Sequence, residues 1–129
     1  MTKDYIISRV HLIISVVIVI PVALMYGFNP DAFLDIHLNT IDEKNFLKAA
    51  MGLYLAFSLH WLLGIFNSNF IKSALISNVI FMLGLGIGRL VSILLDGMPS
   101  ITFSFGTIGE LVLGFYGLWA MLKEYSKKP

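Results

Sequence analysis

Two ionisable residues, Arg89 and Glu110, lie inside long apolar stretches of this 129-residue sequence. A charged side chain in an apolar interior is costly, so such residues pair with one another or mark a functional site. The turn between the two stretches is centred near 98–100, and each residue lies about ten positions from it. In an antiparallel helical hairpin, this equal offset places both side chains at the same depth. We therefore predict an Arg89–Glu110 ion pair.

Two interpretations of this pair stay open. The pair could be structural and lock two helices together, or it could form the polar end of a cavity, with Glu110 able to accept a proton. The helical period of 100° per residue places several residues on one face of each helix. On the earlier helix they are Asn78, Met82, Leu85, Arg89, Ser92 and Asp96, and on the later one Gly106, Glu110, Gly114 and Gly117. Small residues allow close helix packing, so we expect Glu110 to point into a bundle. The candidate ligand-binding residues are therefore Arg89, Glu110, Ser92 and Asp96, together with Tyr54 at similar depth.

A second polar cluster is expected nearer the chain termini. It would contain His60, Asn78 and His11, with hydrogen bonds inside the core as the simpler interpretation. Histidines without cysteine or carboxylate at ligand spacing do not indicate a metal site, and the chain has no cysteine. We expect no metal and no cofactor. Gly84 and Gly88 form a G-x-x-x-G pattern, which we interpret as a helix-packing contact.

The composition indicates a membrane protein. Hydrophobic residues make up 57% of the chain and charged residues 13%, against about 45–50% and about 25% in soluble domains. A chain this short cannot bury so much apolar surface by folding on itself. The net charge of +1 gives no support for nucleic-acid binding.

Four stretches are long and apolar enough to span a bilayer as helices, which takes about 17–25 residues. They are residues 10–26, 46–66, 73–95 and 101–122. The expected fold is an all-α integral membrane four-helix bundle, a single domain over residues 1–129. Asn29-Pro30 predicts the start of a short amphipathic helix, outside the cytoplasm. Thr40 with Glu43 fits a capping box at the start of the second span.

Positive charges predict the orientation, since they are enriched on the cytoplasmic side of membrane proteins. One side of the predicted bundle holds Lys3, Arg9, Lys72, Lys123, Lys127 and Lys128, and the other holds Lys44 and Lys48 among acidic residues. We expect both termini in the cytoplasm and the protein in the cytoplasmic membrane.

Three stretches carry a family resemblance: residues 48–66, 81–100 and 110–119. Together they resemble the small bacterial membrane family known as domain of unknown function 4345, with the run Gly88-Arg89-Leu-x-Ser92-x-x-x-Asp96-Gly-x-Pro99 as the most specific part. The family usually has arginine where this chain has Lys48, and His60 lies outside its pattern. The resemblance implies a four-helix membrane protein. More distantly, the architecture is similar to DoxX-like proteins and to the sterol-isomerase and sigma-2 receptor type, which implies a cavity for a lipid or apolar molecule.

Three functions remain as hypotheses. The first is binding of a lipid or apolar small molecule in a cavity whose polar end is Arg89 and Glu110. The second is a small oligomeric proton-coupled transporter with Glu110 as the titrating group. The third is a membrane enzyme acting on a lipid or isoprenoid, with Glu110 or His60 as acid or base. The sequence favours a non-enzymatic protein, since no nucleophile–base or nucleotide-binding motif is present. Expected partners are membrane lipids and a second copy of the chain.

Overall fold

The computed structural model describes residues 3–126 and contains five α-helices and one short 3-10 turn. Lys127 and Lys128, used in the orientation prediction, lie outside these residues. The helices are α1 (Lys3–Phe28), α2 (Pro30–Leu34), α3 (Ile41–Phe66), α4 (Ile71–Asp96) and α5 (Ile101–Tyr125), with the 3-10 turn at Ser68–Phe70.

Four of these helices are long and apolar enough to cross a membrane. The candidate spans are Tyr5–Phe28, Ile41–Phe66, Ser68–Asp96 and Ile101–Tyr125, with mean hydropathies of 2.4, 1.6, 2.0 and 1.4. The fold is thus an all-α four-helix membrane bundle with the short helix α2 beside it, as predicted. The helices extend past the predicted spans because polar flanking residues continue the helical backbone beyond the apolar run.

Local chemistry sets the helix ends. Thr40 Oγ1 accepts a hydrogen bond from the Glu43 amide at 3.1 Å, and Glu43 Oε2 accepts one from the Thr40 amide at 2.9 Å, so the predicted capping box is confirmed. Helix α2 begins at Pro30 as predicted, although the Asn29 side chain makes no capping hydrogen bond. At the end of α4, Gly97 adopts a φ of 100°, which favours glycine.

Helix α1 packs against α3 and α5, and α4 packs against the same two helices. One end of the bundle, here called the terminus end, holds Lys3 and Ser126. The opposite end, here called the loop end, holds the segment from α2 to Thr40 and the turn between α4 and α5. Large buried side chains such as Trp61, Leu12 and Leu75 fill the core.

Glycines set the close packing of α4 against α5. Gly86 faces the side chain of Leu111, and Gly114 faces that of Leu83, so each helix receives a leucine of the other. The predicted packing role of Gly84 and Gly88 is wrong within this chain: both are exposed, and a Cβ added at either would meet nothing within 4 Å. The G-x-x-x-G spacing identifies a face of small residues. Helix α4 packs against α5 through a different face, the one that contains Gly86.

Candidate functional site

Arg89 and Glu110 form the predicted ion pair. Arg89 Nε donates to Glu110 Oε2 at 2.7 Å, and the side chains are 22% and 14% exposed. The reciprocal packing of leucines and glycines between α4 and α5 fixes this register, since the same pairing of the two helices brings residues 89 and 110 level. A charge-assisted hydrogen bond of this length is favourable where water is scarce.

Tyr26 completes the polar group, and the sequence reasoning missed it. Arg89 Nη2 donates to the Tyr26 hydroxyl at 3.1 Å, and the guanidinium lies 5.4 Å from the centre of the Phe103 ring. Tyr26 lies near the end of α1, where the hydropathy pattern places it at a membrane boundary. However, α1 ends deep in the bundle: Gly27 contacts Met51, about three helical turns into α3.

Next to this polar group lies a cavity of about 340 Å³. Its polar end is formed by Tyr26, Tyr54, Arg89 and Glu110. Its walls are apolar and come from α1, α2, α4 and α5; they include Val19, Val22, Leu34, Phe81, Met82, Leu85, Phe103 and Leu113. The volume falls at the lower end of the range of about 300–1,000 Å³ for small-molecule sites.

The cavity opens sideways between α1 and α5. Ile18 of α1 and Phe105 of α5 line it and are 47% and 69% exposed. Gly106 and Gly109 also line it, and a Cβ added at either would meet nothing within 4 Å. In a bilayer, these residues face the hydrocarbon, so the opening leads into lipid.

Toward the terminus end, α1 and α5 are joined by hydrogen bonds. His11 Nε2 lies 2.8 Å from the Leu113 carbonyl, and the Tyr116 hydroxyl donates to the Ile7 carbonyl at 3.1 Å. Gly117 allows this approach, because a Cβ there would lie 2.8 Å from the His11 ring. The gap between the two helices is therefore limited to the half of the bundle that contains Arg89.

Tyr54 lines the polar end of the cavity, at the depth predicted for it. Its ring packs edge-on against Tyr26 and Phe81, with ring centres 5.5 Å and 4.9 Å apart. Such edge-to-face contacts between aromatic rings are favourable. The aromatic side chains thus hold the hydroxyl of Tyr26 beside Arg89.

The structure places Ser92 and Asp96 outside the lining of this cavity. The Ser92 hydroxyl donates to Asp96 Oδ2 at 2.9 Å, and both residues are exposed. Ser92 instead lines a smaller cavity of about 220 Å³ on the other side of Arg89, together with Pro99 and Thr107. Ser92 and Asp96 share a helical face with Arg89, but they lie nearer the loop end, beyond the level at which α1 ends.

The second predicted polar group is not joined by hydrogen bonds. His11 and Asn78 are fully buried and His60 is partly buried, but no hydrogen bond links any two of them within residues 3–126. Asn78 has no partner for either amide atom. Within the same residues, no group of three His, Asp or Glu side chains could hold a metal ion.

The fold and the site define a multi-pass α-helical membrane protein whose four-helix bundle holds a lateral cavity ending at an ion pair. The chain belongs to the family described as domain of unknown function DUF4345, which matches residues 7–121. This confirms the family resemblance of the sequence, whereas the likeness to DoxX-like proteins stays a prediction. Neither a curated protein nor a solved structure matches the chain.

Proposed function

We propose that the protein binds an apolar small molecule or lipid in the cavity between α1 and α5, with the polar part of the ligand at Arg89 and Glu110. The observation that carries this proposal is the lateral opening at Ile18, Phe105, Gly106 and Gly109. A ligand dissolved in the hydrocarbon can enter through it without crossing water. A closed ion pair with no adjoining space would have favoured a structural role alone.

The charges at the polar end favour an uncharged ligand. The charges of Arg89 and Glu110 neutralise each other. A charged group of a ligand would therefore be repelled by one of the two side chains at the same distance at which the other attracts it. Arg89 Nη1 and Glu110 Oε1 have no hydrogen-bond partner within residues 3–126. A hydroxyl or carbonyl group fits these atoms, since it can accept from the guanidinium, and a hydroxyl can also donate to the carboxylate. We therefore infer a ligand with an apolar body and one neutral polar group.

Transport has less support than binding. Beyond the cavity, the core at the terminus end is filled by Leu12, Ala74 and Leu75, each 0% exposed. A carrier would have to open a path through these side chains, and binding requires no such change. An enzyme would need an acid or base with a second reacting group, and the ion pair holds the carboxylate of Glu110 on Arg89.

The location proposed for this activity is the cytoplasmic membrane of a bacterium, with both termini in the cytoplasm. The positive charges at Lys3, Arg9, Lys72 and Lys123 lie at the terminus end and support this orientation. The cavity then lies in the outer half of the bilayer.

Native mass spectrometry of the purified protein tests the proposal. Gly109→Phe places a ring at the mouth of the cavity, and Gly88→Phe is the matched control, because Gly88 lies outside the cavity lining and has open space around it. We expect an apolar molecule to be retained by the wild type and by Gly88→Phe, and lost from Gly109→Phe. Equal retention by both variants, or no retained molecule in any sample, would refute the proposal.

A further inference from the structure

A larger and more polar cavity, of about 600 Å³, lies at the loop end. It is bounded by the end of α1, by the segment that follows it and by the first turns of α3. The polar residues that line it are Asp31, His37, Asn39, Lys44 and Lys48. None of them belongs to the ligand site proposed above.

Lys44 and Lys48 give this cavity its charge. They lie four positions apart on α3, so their side chains project from the same side of the helix. Neither forms an ion pair with a side chain that the structure describes. Asp31 is the acidic residue in the lining. Within the lining, two lysines therefore face one carboxylate. Asp35, which pairs with His37, and Asp42 and Glu43 in the first turn of α3 lie outside the lining.

The surroundings of the cavity place it at the boundary between lipid and water. Phe28, Ile41 and Phe46 are exposed apolar residues close to it in the chain, and Lys44 and Lys48 lie at the polar beginning of α3. The phosphate groups of phospholipids lie at this level of a bilayer. Lysines near a membrane surface are attracted to such groups, and an ammonium group donates strong hydrogen bonds to phosphate oxygens.

We propose that Lys44 and Lys48 bind a phosphate group in this cavity, supplied by a phospholipid headgroup. The two ammonium groups donate to the phosphate oxygens, and the acyl chains pass over the neighbouring apolar residues. A soluble phosphate ester offers the same chemistry from the aqueous side, so the experiment includes both sources. The proposal does not depend on the ligand at Arg89.

The test is a titration followed by native mass spectrometry in detergent. The probes are dioctanoylphosphatidylglycerol, dioctanoylglycerol, which lacks the phosphate, and glycerol 3-phosphate, which lacks the acyl chains. The variant is Lys44→Gln/Lys48→Gln. The charge-matched control is Lys3→Gln/Lys72→Gln, since both of these residues lie at the terminus end. Lys44→Arg/Lys48→Arg keeps the charge and serves as the second test of the site.

We expect phosphatidylglycerol to bind at least about tenfold more weakly to Lys44→Gln/Lys48→Gln than to the wild type. Both control variants should stay within about twofold of the wild type, and dioctanoylglycerol should not distinguish any of them. Binding of glycerol 3-phosphate as tight as that of the lipid, and lost in the same variant, supports the phosphate site and assigns it to a soluble ester. Equal lipid binding by Lys44→Gln/Lys48→Gln and wild type, or an equal loss in Lys3→Gln/Lys72→Gln, would overturn the proposal.

Discussion

The Tyr26 hydroxyl accepts a hydrogen bond of 3.1 Å from Arg89 Nη2, which links the end of α1 to the C-terminal half of α4 across the bundle. The same guanidinium donates through Nε to Glu110 on α5. Arg89 thus ties together three helices around the polar end of the cavity. Through these two hydrogen bonds, Arg89 also connects α1 with α5 near the cavity opening.

Removing one charge of the pair should destabilise the protein. Glu110→Gln leaves Arg89 without its counter-charge in an apolar setting, and we expect a loss of about 3 kcal/mol in the free energy of unfolding. The measurement is unfolding in mixed detergent micelles followed by circular dichroism. The double variant Arg89→Met/Glu110→Leu should be more stable than Glu110→Gln, since neither charge is then left alone. A double variant that is the less stable of the two would contradict this account of the pair.

Tyr26→Phe should cost about 1.5–3 kcal/mol of stability, because it removes a hydrogen bond to a charged group without changing the packing of the ring. The matched control is Tyr5→Phe. Tyr5 forms an exposed hydrogen bond of 2.8 Å with Ser68, where water can replace the lost partner. The two melting curves are compared under the same conditions. If both variants lose the same stability, the link between Tyr26 and Arg89 does not hold α1 in place.

Adding a methyl group at one glycine of α5 and one of α4 should distinguish the packed glycines from the exposed ones. A Cβ at Gly114 would lie 2.4 Å from Leu83 Cδ2, so Gly114→Ala must displace that side chain, at a cost of about 1–3 kcal/mol. Gly88→Ala meets open space, and we expect no loss and a gain of up to about 1 kcal/mol from helix propensity. Thermal unfolding measures both. A Gly88→Ala variant that is the more destabilised would show that the exposed face of α4 is packed in the membrane.

Removing the helix cap before α3 should have a smaller and local effect. Thr40→Ala removes the oxygen that accepts from the Glu43 amide and should cost about 1 kcal/mol. Thr40→Ser keeps this oxygen and should stay close to the wild type. Amide hydrogen exchange of the first turn of α3 checks the effect residue by residue. Unchanged protection in Thr40→Ala would mean that other contacts hold this helix end.

The ion pair could be predicted from the sequence because a tight turn fixes the register of two antiparallel helices. Equal offsets from residues 98–100 then give Arg89 and Glu110 the same depth, whatever the rest of the bundle does. The position of Tyr54 near this pair could be predicted in a similar way, from its depth along α3. The spans themselves follow from hydropathy, because only helices satisfy their backbone hydrogen bonds within such apolar runs.

Tyr26 could not be found in this way, since the long connection between α1 and α3 leaves their relative depth open. Only the contact of Gly27 with Met51 shows that α1 ends well below the start of α3. Helical periodicity likewise placed Ser92 and Asp96 on the same face as Arg89. Periodicity gives the side of the helix on which a residue lies, but not how far a cavity extends along the helix axis. Which of Gly84, Gly86 and Gly88 packs against α5 depends on the position of Leu111, and no spacing pattern in the sequence gives that position.

The most direct test of ligand binding in the lateral cavity is photolabelling in lipid vesicles with a long-chain alcohol that carries a diazirine group. We expect peptide mass spectrometry to locate the label on cavity residues such as Val22, Leu85 and Leu113. Gly109→Phe should abolish this labelling, and Gly88→Phe should leave it unchanged. Label confined to outward-facing residues such as Ile80 and Ile87, at equal yield in both variants, would contradict binding in the cavity.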